Sequence, residues 1–309
     1  MLTNQLESGF AAVDQTLLDV IATDVEMLQN ASRHIIVSGG KRIRPRVVFL
    51  SYLAAGGKNL GEVVPLAAAV ELVHTATLVH DDINDHSLTR RGKISVHARF
   101  GRTFALLTGD YLFTKVYELM APYGPQFNQI MADACVSLVE GETLQAAAAK
   151  AGTINQETYK VIITRKTASL FGAAARMGAS MAGGDEALAG KLSEYGYNLG
   201  LAFQIVDDIL DIVGDPNKMG KPVGNDLVQG AGALIAQNGK KVLSPTNVSN
   251  PDPIDEYITR LRDSGAVDVA FAQAHEWAGR AREALSSLSD SPARVELYRL
   301  VELVIERQK

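Results

Sequence analysis

The sequence predicts an all-α fold, and three observations carry that reading. No proline falls between Pro65 and Pro122 or between Pro125 and Pro216. Proline breaks helix interiors, so these gaps leave room for long helices. Alanine-rich stretches fill them at Ala67–Ala69, Ala146–Ala149 and Ala173–Ala175, and alanine has the highest intrinsic helix propensity. β-Branched runs bounded by turn residues are few. The best strand candidate, Val161-Ile162-Ile163-Thr164, sits inside a longer helical pattern.

Taken in order, the segment Leu72, Val73, Ala76, Leu78 and Val79 has the character of a buried helix, and so does Leu201–Val206. The composition then changes between Gly214 and Asp255, where Pro216, Pro222, Pro245, Pro251 and Pro253 cluster. Helices resume on both sides with similar composition. Residues 1–309 are therefore read as a single domain with an irregular loop region near 214–255. At the C-terminus Ser291 can cap a helix and Pro292 suits its first position. Leu297, Leu300, Val301 and Val304 continue it with an i, i+3, i+4, i+7 stripe.

The 309 residues suffice for a large core, and 47% of them are hydrophobic, which argues against disorder. Cys135 is the sole cysteine. That excludes an internal disulfide framework and a cysteine-based zinc site. A net charge of −5 disfavours broad nucleic-acid binding. Met1–Asp14 lacks a basic start followed by an apolar stretch, so no signal peptide is expected. No apolar run reaches the length of roughly 18 residues that a membrane span needs. A soluble, cytoplasmic protein is the expectation.

The sharpest feature is Asp81-Asp82-Ile83-Asn84-Asp85, a DDxxD pattern at the end of an apolar helix. On a helix Asp81 and Asp85 lie one turn apart on the same face. Like charges this close persist when a cation or water stabilises them. Asp207-Asp208-Ile209-Leu210-Asp211 repeats the spacing, again after an apolar stretch. Two such clusters suggest carboxylate faces meeting across a cavity. Oxygen ligands without paired histidines or cysteines suit magnesium, which takes one or two carboxylates together with phosphate oxygens. Neither cluster has the alternating ligands and central glycine of an EF-hand.

Magnesium held this way points to phosphate, and phosphate needs basic partners. Gly39-Gly40-Lys41-Arg42-Ile43-Arg44-Pro45-Arg46 is a compact basic loop. Arg90-Arg91-Gly92-Lys93, Arg165-Lys166-Thr167, Lys218 and Lys221 supply more. Arginine matches phosphate oxygens through its planar fork, and lysine acts as a point charge. A surface patch for nucleic acid is the competing reading, but no stacking aromatics interleave with the basic residues. His80-Asp81, with His34 and His74, raises a metal phosphohydrolase as a rival, which leaves the second DDxxD unexplained. Cys135 and Trp277 are read as packing residues.

Together these segments resemble the trans-isoprenyl diphosphate synthases of the polyprenyl synthetase family. In family order they are Gly40–Pro45, Glu71–His74, Asp81–Asp85, Arg90–Gly92, Gly109-Asp110, Lys166–Ala168, Phe203–Asp211, Gly220-Lys221 and Gly224–Leu227. The resemblance implies helices around a deep central cavity and a homodimer. It implies head-to-tail condensation of an allylic diphosphate with isopentenyl diphosphate. By the resemblance Asp81, Asp85, Asp207 and Asp211 hold magnesium (Mg2+) on the allylic diphosphate, supported by Asp82 and Asp208. Lys41, Arg44, His74 and Arg91 bind isopentenyl diphosphate. Arg90, Lys166 and Lys221 grip the allylic diphosphate, and Thr167 and Gln204 lie beside the reacting carbons.

In this family a bulky residue five positions before the first DDxxD stops chain growth early. Here that position is Ala76, with Thr77 beside it, which implies products of C20 or longer. Phe104, Phe113 and Tyr117 are candidates for a deeper stop. One departure stands out. Where the family continues Gly-Lys-x-Thr-Leu-Pro after Gly224–Leu227, this chain reads Gly230-Ala231-Gly232-Ala233-Leu234-Ile235, so a diphosphate contact is expected to be missing. Two other readings share these residues. A non-catalytic accessory subunit of a two-component synthase tends to lose carboxylates or arginines, which this chain keeps. A class I terpene cyclase replaces the second cluster with an Asn/Asp-Ser-Glu pattern, absent from Phe203–Asp211.

Overall fold

A computed structural model describes residues 2–153, 155–213 and 265–306. The helices in chain order are α1 (Leu2–Val20), α2 (Glu26–Ile36), α3 (Ile43–Ala54), α4 (Val64–Asn84), α5 (Val96–Phe100), α6 (Arg102–Met120), α7 (Pro125–Ala151), α8 (Gln156–Ile163), α9 (Ser169–Met181), α10 (Glu186–Val213), α11 (Ala266–Ala284) and α12 (Pro292–Glu306). The all-α reading holds. The residues group into two compact units. One comprises Met1–Cys135, Ala173–Ser193 and Ser287–Leu297. The other comprises Val136–Gly172, Glu194–Ser286 and Tyr298–Lys309.

In the first unit α4 is the hub, packing against α6, α1 and α3. Ala67, Ala68, Ala69, Val70, Leu72, Val73, Ala76 and Val79 are all fully buried, as befits a helix that is apolar on every side. Pro65 stands in its first turn, where a missing N–H costs nothing. Small residues let its neighbours approach. A Cβ on Gly109 of α6 would fall 2.1 Å from His80 Nε2, so only glycine admits the imidazole there.

This unit also holds the one piece of sheet among the described residues, which the sequence reading did not foresee. Thr89–Arg90 (β1) pairs antiparallel with Lys93–Ile94 (β2). Arg91 and Gly92 between them have φ of 52° and 72°, the left-handed pair that a tight hairpin turn requires. Strands of two residues carry too little alternation to be read from sequence.

In the second unit α8 does not run straight into α9. Five residues, Thr164–Ala168, form a π-helical turn between them, so the Val161–Thr164 strand candidate is helical. Such turns widen a helix by one residue and often mark functional sites. Two glycines make room for this one. A Cβ on Gly141 would lie 2.6 Å from the Lys166 backbone nitrogen, and one on Gly200 would lie 2.8 Å from Ala168 Cα. α12 starts as the sequence indicates, with Pro292 first and the Arg294 N–H donating to Ser291 Oγ at 3.1 Å. The irregular region 214–255 lies outside the described residues. Among those described, no helix is long and apolar enough to cross a membrane.

Candidate active site

The first acidic cluster closes α4. The Asp85 N–H donates to the Asp81 carbonyl at 2.8 Å, so the two residues stand one helical turn apart on one face. No basic residue occupies the last turn of α4. The carboxylates therefore meet the negative end of the helix dipole as well as each other. Asp82 is different. It is fully buried, and its Oδ1 accepts from Arg90 Nε at 2.8 Å and from Arg90 Nη2. Burial raises its carboxyl above the usual range, against the pull of Arg90. Asp82 thus braces Arg90 in β1.

The second cluster lies in the last two turns of α10, with Asp211 in the final turn, where no basic residue stands. Asp207 is exposed, whereas Asp208 and Asp211 are buried. Asp208 Oδ2 accepts from the Tyr159 hydroxyl, and Oδ1 accepts from Gln204 Nε2 at 2.9 Å. Gln204 Oε1 in turn accepts from Thr167 Oγ1 at 2.7 Å. Thr167 and Gln204, both singled out in the sequence, are therefore in contact. Lys166 Nζ pairs with Glu142 at 2.5 Å and bonds Gln145 Oε1 at 3.3 Å. The Tyr197 hydroxyl donates to Thr164 Oγ1 at 3.1 Å, anchoring the start of the π-helical turn.

The basic loop sets up the opposite polarity. Arg42 stands at the N-terminal cap of α3 with φ of 48°, and no side chain caps the helix. Its Nη1 meets Glu71 Oε1 and its Nη2 meets Asp14 Oδ1, each at 2.7 Å. Burial opposes the Arg42 charge, but Glu71 and then Asp14 outweigh it. Lys41 is exposed and Arg44 buried. The Arg91 guanidinium lies against Gly40, where a Cβ would fall 2.9 Å from its nitrogens. Burial lowers the Arg91 pKa; Glu71 opposes that, and Arg42 and Arg90 add repulsion. Burial likewise pushes the His74 imidazole well below its usual range, followed by the charges of Arg44, Arg91, Arg90 and Arg42. Four arginines thus act on one neutral histidine. Such a cluster at a helix N-terminus is suited to an anion.

Sequence reasoning placed Arg42 only in the phosphate-binding loop, whereas it pairs with Glu71 and Asp14; Asp14, Tyr159 and Glu142 had no role, and Glu71 none beyond its motif. Glu71 carried a signal, since a charged residue in an apolar helix is rarely buried without a partner. Ala76 is fully buried and Thr77 half-buried, its hydroxyl donating to the His74 carbonyl at 2.8 Å. Cys135 is no nucleophile, for burial pushes its thiol up to about 11. Lys221 and the altered Ala231–Ile235 segment lie outside the described residues.

The donors at both acidic clusters fit magnesium. They are all oxygens, and Asp82 Oδ2 is buried with no hydrogen-bond partner among the described residues. Among those residues, no three His, Cys, Asp or Glu side chains gather into a metal cage. Magnesium usually completes its shell with water and substrate phosphate.

The His74 environment sets a pH dependence of stability. Below the ordinary histidine value of 6.5 the unfolded chain binds a proton there that the folded chain, held lower, does not. Stability at this site is therefore present above that value and lost as pH falls below it. Melting temperatures of the wild type and His74→Gln, taken between about pH 7.5 and about pH 5.5, should show a shallower decline in the variant. Parallel declines would mean that His74 is not held neutral.

The chain is similar to known proteins along most of its length. The family model for polyprenyl synthetase matches residues 25–248. The short chain isoprenyl diphosphate synthase of Methanothermobacter thermautotrophicus is 36% identical over 297 residues, covering 92% of this chain and 91% of that protein. The octaprenyl diphosphate synthase of Escherichia coli is 33% identical, covering 97% and 96%. A crystal structure of polyprenyl synthase from Caulobacter crescentus, complexed with calcium and isoprenyl diphosphate, superposes with a TM-score of 0.93 at 34% identity, covering 100% of this chain and 97% of that one. With family model, relatives and fold in agreement along most of its length, the chain belongs to the polyprenyl synthetase family and is a prenyltransferase of the trans-prenyl diphosphate synthase kind.

Proposed function

We propose that the chain condenses an allylic diphosphate with isopentenyl diphosphate, head to tail and with magnesium, to give all-trans polyprenyl diphosphate of C20 or longer. The observation that carries this reading is the placement of charge. Carboxylates stand at the C-terminal ends of α4 and α10, and arginines stand at the N-terminal end of α3. Both placements cost stability in an isolated helix. A metal–diphosphate complex relieves the first, and a second diphosphate relieves the other.

Asp81, Asp85, Asp207 and Asp211 are assigned to the metal, with Asp82 and Asp208 holding neighbouring groups in place. Bound magnesium would stabilise charge on the departing diphosphate oxygens. Arg90, Lys166 and Lys221 grip the allylic diphosphate. Arg90 is steadied by Asp82, and Lys166 waits on Glu142. Lys41, Arg44 and Arg91 receive the isopentenyl diphosphate, and neutral His74 donates a hydrogen bond to it. The allylic carbon–oxygen bond breaks and its electron pair leaves with diphosphate. The isopentenyl double bond supplies the pair for the new carbon–carbon bond, and a proton passes to the released diphosphate. Thr167 and Gln204 lie beside the reacting carbons, in surroundings that exclude water from the cation. Ala76 and Thr77 leave the tail room to grow. The named relatives range from short-chain to octaprenyl products, so family membership alone leaves the length open. Assignment of the chain to one domain and to the cytoplasm belongs to the same proposal.

Labelled isopentenyl diphosphate with dimethylallyl, geranyl or farnesyl diphosphate tests this. Chains of C20 or longer are expected with magnesium. They should fall about 100-fold or more in Asp81→Ala and vanish with a chelator, and Ala76→Phe should shorten them. A C15 product alone would overturn the chain-length argument. No product from any primer would favour the accessory-subunit reading.

The second part of the proposal is a homodimer. Phe104, Leu106, Leu107 and Tyr117 on α6 are 41%, 50%, 48% and 74% exposed, and an apolar face of this kind marks an interaction surface. Sedimentation should give twice the chain mass for the wild type and a single chain mass for Leu107→Asp. A monomeric wild type, or a variant that stays dimeric, would contradict it.

A further inference from the structure

We infer that Tyr159 is a positioning residue for prenyl transfer: its hydroxyl steadies the Asp208 carboxylate, which fixes the amide of Gln204 and makes Thr167 present oxygen lone pairs rather than a proton. The inference rests on the prenyl-transfer reading above. An ionised carboxylate only accepts hydrogen bonds. Asp208 takes one from the Tyr159 hydroxyl on Oδ2 and one from Gln204 Nε2 on Oδ1. The nitrogen side of the Gln204 amide is thereby committed to Asp208. Its Oε1 must face the other way, where Thr167 Oγ1 lies at 2.7 Å. Two acceptors cannot bond to each other, so Thr167 gives its only proton to Gln204.

A hydroxyl that has donated its proton offers lone pairs alone to whatever stands on its other side. Lone pairs favour an electron-poor carbon, and a presented O–H would oppose it. The direction of every bond in the row follows from the carboxylate in its middle. Tyr159, Thr167 and Asp208 are 2%, 4% and 4% exposed and Gln204 is half-buried, so water does not compete for the Tyr159–Asp208 link. Without Tyr159, Asp208 Oδ2 loses a hydroxyl donor and the carboxylate plane shifts, so Gln204 and Thr167 keep their polarity but lose their alignment. Tyr159 acts at a distance from the substrate; its partner Asp208 lies 49 residues further along the chain.

Steady-state kinetics on the full chain test this with Tyr159→Phe, Thr167→Val and the double variant. Mn2+ binding in the presence of inorganic diphosphate, followed by electron paramagnetic resonance, supplies a readout without catalysis. Tyr159→Phe should lower kcat about tenfold while KM for both diphosphates stays within about twofold. In the Thr167→Val background the same change should cost less than about twofold, since the two residues act through one row. Mn2+ affinity should be unchanged. Wild-type kcat in Tyr159→Phe, losses that multiply in the double variant, or a fall in Mn2+ affinity that matches the fall in kcat would each overturn the inference. Should circular dichroism show Tyr159→Phe unfolded, Tyr159→Met takes its place, since it also removes the hydroxyl and leaves the Asp208 carboxylate intact, and the same kcat loss, non-additivity and unchanged Mn2+ affinity decide. An inactive wild type would sink the prenyl-transfer reading itself; an active wild type with an indifferent Tyr159→Phe would sink this inference alone.

Discussion

The charges at three helix ends are placed against the helix dipole. Asp81 and Asp85 close α4, Asp211 stands in the last turn of α10, and Arg42 and Arg44 open α3. Favourable placement would put acids at N-termini and bases at C-termini. The rest of the structure compensates for this reversal. α4 is anchored by residues buried all round, so its acidic end is held in place by packing rather than by its own charges. Stability invested in an apolar frame thus supports like charges held close together at the end of α4.

Within each unit the charged groups fall into two kinds. Some are braced: Asp82 with Arg90, Arg42 with Glu71 and Asp14, and Asp208 with Tyr159 and Gln204. Others, including Asp207 and Lys41, are exposed. Buried charge is costly unless paired, and Asp82, Glu71 and Asp208 are both buried and paired. The pairing of Arg42 with Glu71 leaves the positive field on His74 to be completed by Arg44, Arg90 and Arg91.

The fold class was legible because helices leave coarse marks. Proline gaps, alanine runs and the Ser291-Pro292 start survive without tertiary information. The acidic clusters were legible because i, i+4 carboxylates on an apolar helix are unusual. What escaped was long-range or subtle. Tyr159 and Asp208 are joined only by folding, and nothing near either residue announces the other. The π-helical turn at Thr164–Ala168 differs from an α-helix by one residue of register, which apolar periodicity does not resolve. The hairpin that carries Arg90 and Arg91 is too short to show alternation. The resemblance already gave Asp82 and Asp208 a supporting role, but that they hold Arg90 and Gln204 needed the partners' positions.

The central claim is that these charges are arranged for a metal–diphosphate complex rather than for either part alone. Calorimetric titration of magnesium into the protein, with and without inorganic diphosphate, tests it most directly. The account predicts magnesium binding at least about tenfold tighter when diphosphate is present, with diphosphate affinity raised by magnesium to the same degree, as linkage demands. Equal magnesium affinity in both titrations would contradict it.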